Sequence, residues 1–205
     1  MLVIIGRRPA AACALAFALP TAAAQATEPY PTFSIDVVAD CNRFVSEGVG
    51  HPHPGPVFGD YFMQEGLIYE GGTLEANCEG GDGCGLNPDG TPEFPEAVIG
   101  KWTCYGSFVG NGGATAEGVW LYSTQVYEFE VEQLDDNVYA PGLHALVSHG
   151  AERIDLAVPW HRAVTGGYGQ FDRSVGQVRQ TKIGFNQTEC ENFTFDFEIT
   201  PPRRL

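Results

Sequence analysis

Residues Phe193 to Thr200 alternate apolar and polar without a break, with Phe193, Phe195, Phe197 and Ile199 on one side and Thr194, Asp196, Glu198 and Thr200 on the other. In an extended chain successive side chains point to opposite faces, so this pattern specifies a strand with one buried face. A helix would spread the four large apolar side chains over opposite sides of its axis. The segment Tyr127-Glu128-Phe129-Glu130-Val131-Glu132 repeats the alternation, and Ile154-Asp155-Leu156-Ala157-Val158 does so more weakly. Alternate glutamates at 128, 130 and 132 would make one wet face of such a strand.

Further strands are expected over Phe33 to Val38, Phe58 to Tyr69, Ile99 to Val109, Gly118 to Ser123, Leu143 to His149, Arg162 to Thr165 and Gly176 to Phe185. Clusters of Gly, Pro, Asn and Asp separate most of them. No stretch carries the i, i+3, i+4, i+7 apolar spacing of an amphipathic helix. About eight to ten strands on short connections make an antiparallel barrel or sandwich, and a closed barrel leaves no sheet edge exposed. Two long connections stand out, His51-Pro52-His53-Pro54-Gly55-Pro56 and Gly71 to Pro95; loops of that kind are expected to shape the mouth of a cavity. No internal repeat and no second domain is evident.

The first 26 residues read as a secretory signal peptide: Arg7 and Arg8, an apolar run from Ala10 to Leu19 too short to span a bilayer, and Ala24-Gln25-Ala26 as the cleavage site. Cys13 precedes most of that run, so it is not placed for a lipid anchor. Residues 27–205 then form one domain, expected to be secreted or periplasmic, and no later run is long enough for a membrane helix. The net charge of −15 argues against nucleic acid or an anionic membrane surface as partner.

Five cysteines follow the leader: Cys41, Cys78, Cys84, Cys104 and Cys190. In an oxidising compartment they are expected to form two disulfides and leave one thiol. Cys78 pairs with Cys84, or either of them with Cys104, and a bridge from Cys41 to Cys190 would tie the two ends of a closed barrel together. Spacing alone does not choose among these pairings. No Cys-x-x-Cys pair is present, which argues against zinc.

The segment Arg162-Ala163-Val164-Thr165-Gly166-Gly167-Tyr168-Gly169-Gln170-Phe171, followed by Gly176-Gln177-Val178, reads as a strand, a turn built on three glycines with positive φ, and a second strand. It resembles the corresponding corner of the allene oxide cyclase barrel family and, more loosely, that of plant dirigent proteins. Gly59-Asp60 with Leu67-Ile68-Tyr69, the strand Ile99 to Gly106, Tyr127-Glu128-Phe129 and the terminal Phe-rich strand follow in the same order as in that family. The resemblance implies an all-β fold, an eight-stranded antiparallel β-barrel of lipocalin-like topology with an elongated apolar cavity. It also implies a homo-oligomer, dimer or trimer. Family members that are cyclases carry a glutamate in a Tyr-Glu-x-Asn context on the first strand, where this chain has Phe33-Ser34-Ile35-Asp36-Val37-Val38. Cys104 either stands where the family has a cavity cysteine or is half of a disulfide, and the second reading is preferred here.

A cavity that steers a reaction needs apolar walls and one or two polar groups. Asp36 is a candidate, since a carboxylate on an apolar strand has a raised pKa if it faces the cavity; the alternative is an outward residue on an alternating strand. Tyr69 and Tyr127 could offer hydroxyls, although buried tyrosines with structural partners are common. Arg162, which opens the signature corner, is a candidate for holding a phenolic intermediate. His51 and His53 are the metal candidates, two apart on a stiff loop that could equally be plain solvent-exposed chain. Asn186-Gln187-Thr188 and Asn192-Phe193-Thr194 match the glycosylation sequon. No phosphate loop, Gly-x-Ser-x-Gly elbow, His-Glu-x-x-His motif or Rossmann fingerprint occurs, and no cofactor is expected. The function these observations suggest is an exported barrel that binds an apolar or phenolic small molecule and guides a cofactor-free cyclisation or coupling. The alternatives are a non-catalytic carrier of a hydrophobic ligand and a structural barrel with a packed interior.

Overall fold

The computed structural model describes residues 32–47, 58–109, 120–135, 138–153 and 157–200. Ten strands follow in order: β1 (Thr32–Glu47), β2 (Tyr61–Glu70), β3 (Val98–Phe108), β4 (Trp120–Phe129), β5 (Gln133–Asp135), β6 (Val138–Tyr139), β7 (His144–Arg153), β8 (Trp160–Tyr168), β9 (Gly176–Phe185) and β10 (Glu191–Ile199). Eight of them close an antiparallel barrel in the order β1-β10-β9-β8-β7-β4-β3-β2, while β5 and β6 form a separate ribbon. Every barrel strand pairs with its sequence neighbour apart from that ribbon, and β1 against β10 closes the ring from Thr32 opposite Glu198 to Val38 opposite Asn192. Closure pairs every barrel strand on both sides and so removes the sheet edges.

The alternation in β10 does what its pattern requires. Phe193, Phe195, Phe197 and Ile199 are buried inside the barrel together with Ile35, Val37 and Ala39 of β1, and with Trp102, Tyr127 and Leu146. Tyr127 meets Phe195 and Phe197 edge-on at 5.2 and 5.0 Å between centroids. Each such ring contributes roughly 1.5–3 kcal/mol by leaving water. This cluster fills one end of the interior.

A second, smaller core lies on the outer surface. The connection after β2 starts with a short helix, α1 (Thr73–Asn77), and packs Leu74, Cys84, Leu86 and Phe94 against Val38, Leu67 and Tyr69. It therefore covers the outside of β1 and β2; it contributes no wall to the cavity, contrary to the expectation from its length.

Several boundaries differ from the sequence pattern. Where they are described, the strands expected at 118–123 and 127–132 meet in one strand, β4, from Trp120 to Phe129; Glu130 takes φ 55°, so Glu128, Glu130 and Glu132 do not share a strand face. Residues 154–156 lie outside the described residues, and Ala157 and Val158 sit outside any strand. Strand β1 runs on to Glu47 through a register shift between Ala39 and Phe44. At the signature corner, Gly166 and Gly167 continue β8 beyond a bulge in which Val147 faces Gly166 but Ser148 faces Val164, leaving Thr165 extra. The chain reverses between Gly169 and Val175, starting with a 3-10 turn, Gly169–Phe171; of the three glycines only Gly169 has positive φ, 67°, and Arg173 takes the second such position at 62°. Gly167 is small for another reason: a Cβ there would lie 2.3 Å from the Ala145 carbonyl oxygen.

Disulfides join Cys41 to Cys190 and Cys78 to Cys84, with Cα atoms 5.2 and 5.9 Å apart. The first pins the kinked half of β1 to the turn between β9 and β10. The preferred reading of Cys104 as half of a disulfide is corrected: it is a free thiol, buried inside the barrel. Its strand position, between Gln64 and Gln125 in register, keeps it away from the outer loop that holds Cys78 and Cys84.

Candidate functional site

Opposite the aromatic-filled end, the barrel interior opens into a cavity of about 270 Å³. Four adjacent strands give it aromatic walls: Phe44 from β1, Phe62 from β2, Trp102 and Phe108 from β3, and Phe193 from β10. The other strands give it polar groups, Gln125 from β4, Glu152 from β7 and Gln180 from β9. The Cys41–Cys190 bridge, Glu189 and Glu191 form the rim, and Cys104 lies in the wall.

Beside the cavity, one level of the barrel is built from small residues. Phe62 pairs with Gly106, Gly106 with Ser123, and Ser123 with Gly150, so three successive strands carry small residues at the same height. Gly106 is small because a Cβ there would lie 2.0 Å from the Tyr122 carbonyl oxygen, whereas a Cβ at Gly150 would meet nothing nearer than Arg162 at 3.7 Å.

Behind the polar wall is a buried network centred on Glu152 and Arg162, whose side chains are 2% and 0% exposed. Arg162 Nη1 lies 3.1 Å from Glu152 Oε1 as an ion pair, at an angle too bent for a hydrogen bond. Arg162 Nη2 donates to the Ser123 carbonyl at 2.8 Å and Nε to Ser148 Oγ at 3.1 Å. Ser123 Oγ donates to Glu152 Oε1. Gln125 Nε2 donates to Glu152 Oε2 and to Gln180 Oε1, both at 3.1 Å. Tyr127 donates its only hydroxyl proton to Gln125 Oε1 at 2.5 Å, so across the 3.2 Å contact with Ser148 the serine is the donor. The hydrogen bonds then run in one sense from Arg162 through Ser148, Tyr127 and Gln125 to Glu152. Such a network is costly if any member is left unpaired and rigid when all are satisfied.

Burial pushes the Tyr127 hydroxyl well above the usual range for a phenol, against the opposing pull of Arg162 and Ser148. The same desolvation, helped by the Glu152 charge, pushes the Cys104 thiol up, so it is a neutral wall group rather than a nucleophile. Glu152 Oε1 is met by Arg162, Ser123 and, at 3.9 Å, the Cys104 thiol, whereas Oε2 accepts from Gln125 and keeps room for a hydrogen bond from a ligand in the cavity.

The candidates from the sequence separate into two places. Tyr127 and Arg162 are inside, in the network; Tyr127 is packed under the aromatic cluster, and Arg162 supports Glu152 from behind. Asp36 and Tyr69 face the outer core. Asp36 accepts from the Leu74 backbone N–H at 2.9 Å and from Thr194 at 3.1 Å, and its pKa is raised because burial outweighs those hydrogen bonds. Tyr69 donates to the Gly85 carbonyl at 2.6 Å. Both tie α1 and the following loop to the barrel. His51 and His53 lie outside the described residues. His161 is on the outer face with Arg179, Asp196 and Glu198. Among the described residues no cluster of three His, Cys, Asp or Glu side chains could hold a metal ion. Both sequons are buried: Asn186 Nδ2 donates to Ala39 O at 2.8 Å and Asn192 Nδ2 to Gly81 O at 2.9 Å, leaving no amide free for a glycan.

Glu152, Gln125 and Gln180 escaped the sequence reading. In β4 both faces mix polar and aromatic residues, with Leu121, Ser123, Gln125 and Tyr127 inward and Tyr122, Thr124, Val126 and Glu128 outward. The inward face is therefore not the more apolar one, and alternation cannot identify it. Glu152 lies beyond His149, where the expected strand ended.

No protein-family model matches the chain, and no curated protein matches it in sequence. Solved structures do. A pyocyanin demethylase superposes with a TM-score of 0.52 at 14% identity, over 83% of this chain and 100% of its own. Two pterocarpan synthase dirigent proteins give TM-scores of 0.55 and 0.54 at 11% and 13% identity, over 86% of this chain and 87% and 98% of theirs. The likeness is one of fold. It agrees with the closed eight-stranded barrel and leaves the chemistry to this chain's own residues.

Proposed function

We propose that this protein is an exported barrel that binds an apolar or phenolic small molecule in its cavity and guides a cofactor-free cyclisation or coupling. The observation that carries this reading is a buried carboxylate, Glu152, held by Arg162 at the polar wall of an otherwise aromatic, open cavity. A carrier needs only apolar walls, and a structural barrel needs none. An oriented carboxylate instead gives a confined ligand one fixed point, from which a phenolic proton can be accepted and returned while the aromatic walls hold the reacting parts together.

Export is supported by the leader at residues 1–26 and by two disulfides, which persist in oxidising compartments. Among the described residues no helix is long and apolar enough to cross a membrane. The pterocarpan synthase dirigent proteins of similar fold make a coupling or cyclisation role a natural one to test.

The test is native mass spectrometry of protein purified from its own host, with extraction and identification of what it carries, repeated for Glu152→Gln. A bound aromatic molecule that the parent converts in vitro and Glu152→Gln does not would support the proposal. A ligand that is retained and released unchanged by both proteins would make it a carrier.

A further inference from the structure

Resting on that reading of the cavity, we propose that its ligand is a small aromatic cation, a one- or two-ring compound bearing a protonated amine, and not a fatty acid or other anion. Three observations point to it. The first is the charge of the wall: the ionisable acids facing the cavity are Glu152 deep inside and Glu189 and Glu191 at the rim, and among the described residues no Lys or Arg lines it. Two of these acids are offset by a cation from behind the lining, which leaves Glu189 at the rim as the one not paired with a cation among the described residues. Arg162 is consumed by Glu152, Ser123 and Ser148, and Lys182 sits 3.9 Å from Glu191 and 4.1 Å over the Phe185 ring.

The second is the nature of the walls. Aromatic faces carry negative potential and attract cations, most strongly where water is excluded. Between the carboxylates the cavity offers Trp102 and several phenylalanines, a combination that favours a positive charge and repels a negative one. The net charge of −15 adds a long-range field of the same sign, which draws cations toward the mouth and raises a barrier to anions.

The third is size. A volume of about 270 Å³ holds about nine waters at ~30 Å³ each, room for one or two rings with a short side arm. It lies at the small end of ligand pockets.

Three probes of matched shape separate the possibilities: 2-phenylethylammonium, 2-phenylethanol and 3-phenylpropanoate, measured by isothermal titration calorimetry on the disulfide-intact chain at pH 7 and low salt, with naphthalene as an uncharged control. The ammonium is expected to bind at least about tenfold more tightly than the alcohol, and the carboxylate not measurably. Replacing both rim acids, Glu189→Gln with Glu191→Gln, is expected to lower the ammonium-to-alcohol ratio about threefold, and added salt to lower it further. If naphthalene and the alcohol bind but the ammonium has no advantage, or the carboxylate binds best, the charge inference is overturned and the cavity stands. If none of the four binds, the reading of the cavity as a ligand site falls as well.

Discussion

The pair formed by Arg162 and Glu152 can be tested without knowing the ligand, through stability. Arg162→Met keeps most of the side-chain volume and removes the charge, leaving a carboxylate that is 2% exposed with no cation beside it. Breaking a buried pair in this way costs about 3–5 kcal/mol. Ser123 and Gln125 still donate to Glu152 in the variant, which places the expected loss at the lower end, about 3 kcal/mol. For a chain of this length that corresponds to a fall of about 6–12 °C in Tm. Glu152→Gln should cost a similar amount, because it leaves Arg162 uncompensated. The double variant removes both charges, and the amide oxygen that replaces the carboxylate can still accept from Ser123, so its loss should stay near that of one single variant. The double-mutant cycle then yields a coupling of about 2–3 kcal/mol, read from urea unfolding at pH 7 with the disulfides intact and the slope unchanged. Single losses below about 1 kcal/mol, or additivity within about 0.5 kcal/mol, would refute the view that the two charges depend on each other.

Three further outcomes follow from the geometry. In the chain beginning at residue 27, thiol titration should find no reactive thiol in the native protein and one after unfolding without reductant, because Cys104 is free and buried while four cysteines are bridged; three or five would contradict the pairing. Gly167→Ala should destabilise by about 1–3 kcal/mol, since its Cβ would meet the Ala145 carbonyl at 2.3 Å, whereas Gly166→Ala, with nothing within 4 Å, should stay within about 0.5 kcal/mol; equal effects would show that the strand, not the contact, sets the cost. Asp36 has a folded pKa raised above 3.8 by burial, so the native state binds its proton more readily than the unfolded state, and stability declines as pH rises through the folded value. Asp36→Asn should flatten that decline above about pH 4 in urea midpoints, and parallel curves for the two proteins would contradict it.

How far the sequence could be read depends on what each strand's two faces carry. In β10 one face is three phenylalanines and an isoleucine, and the other is threonines and acids, so strand, period and buried side follow together. Barrel closure was legible through the number of such strands and the want of helical spacing. In β1 the same logic identified the apolar strand but not which side of it Asp36 takes, because both sides are buried, one in the barrel and one under α1. The signature corner specified a reversal near Gly169, yet Gly167 answers to a strand passing close to its neighbour. That demand comes from β7 and is invisible in the local sequence.

The site was hidden for a physical reason that also explains its form. A barrel interior is expected to be apolar, so polar residues at alternate positions read as solvent-facing, and Ser123, Gln125, Ser148, Glu152 and Gln180 were each ordinary on that view. Buried singly, any of them would cost several kcal/mol. Buried together on β4, β7 and β9, with Arg162 on β8 between them, they satisfy one another, and the charge of Arg162 offsets that of Glu152. The cooperation is across strands, at sequence separations of 27 between Gln125 and Glu152 and 55 between Gln125 and Gln180, so no local window contains it. Beside this network, Gly106, Ser123 and Gly150 put only small residues at one height of the wall. Gly106 has no room for a Cβ, which would lie 2.0 Å from the Tyr122 carbonyl oxygen, but Gly150 does, so a barrel evolved only to fold would gain by carrying a larger apolar residue at Gly150, burying roughly 1.5–3 kcal/mol of side chain there. The stability forgone at Gly150 and the desolvation accepted at Glu152 fall two residues apart on the inner face of one strand, β7, and that coincidence is the argument for a ligand there.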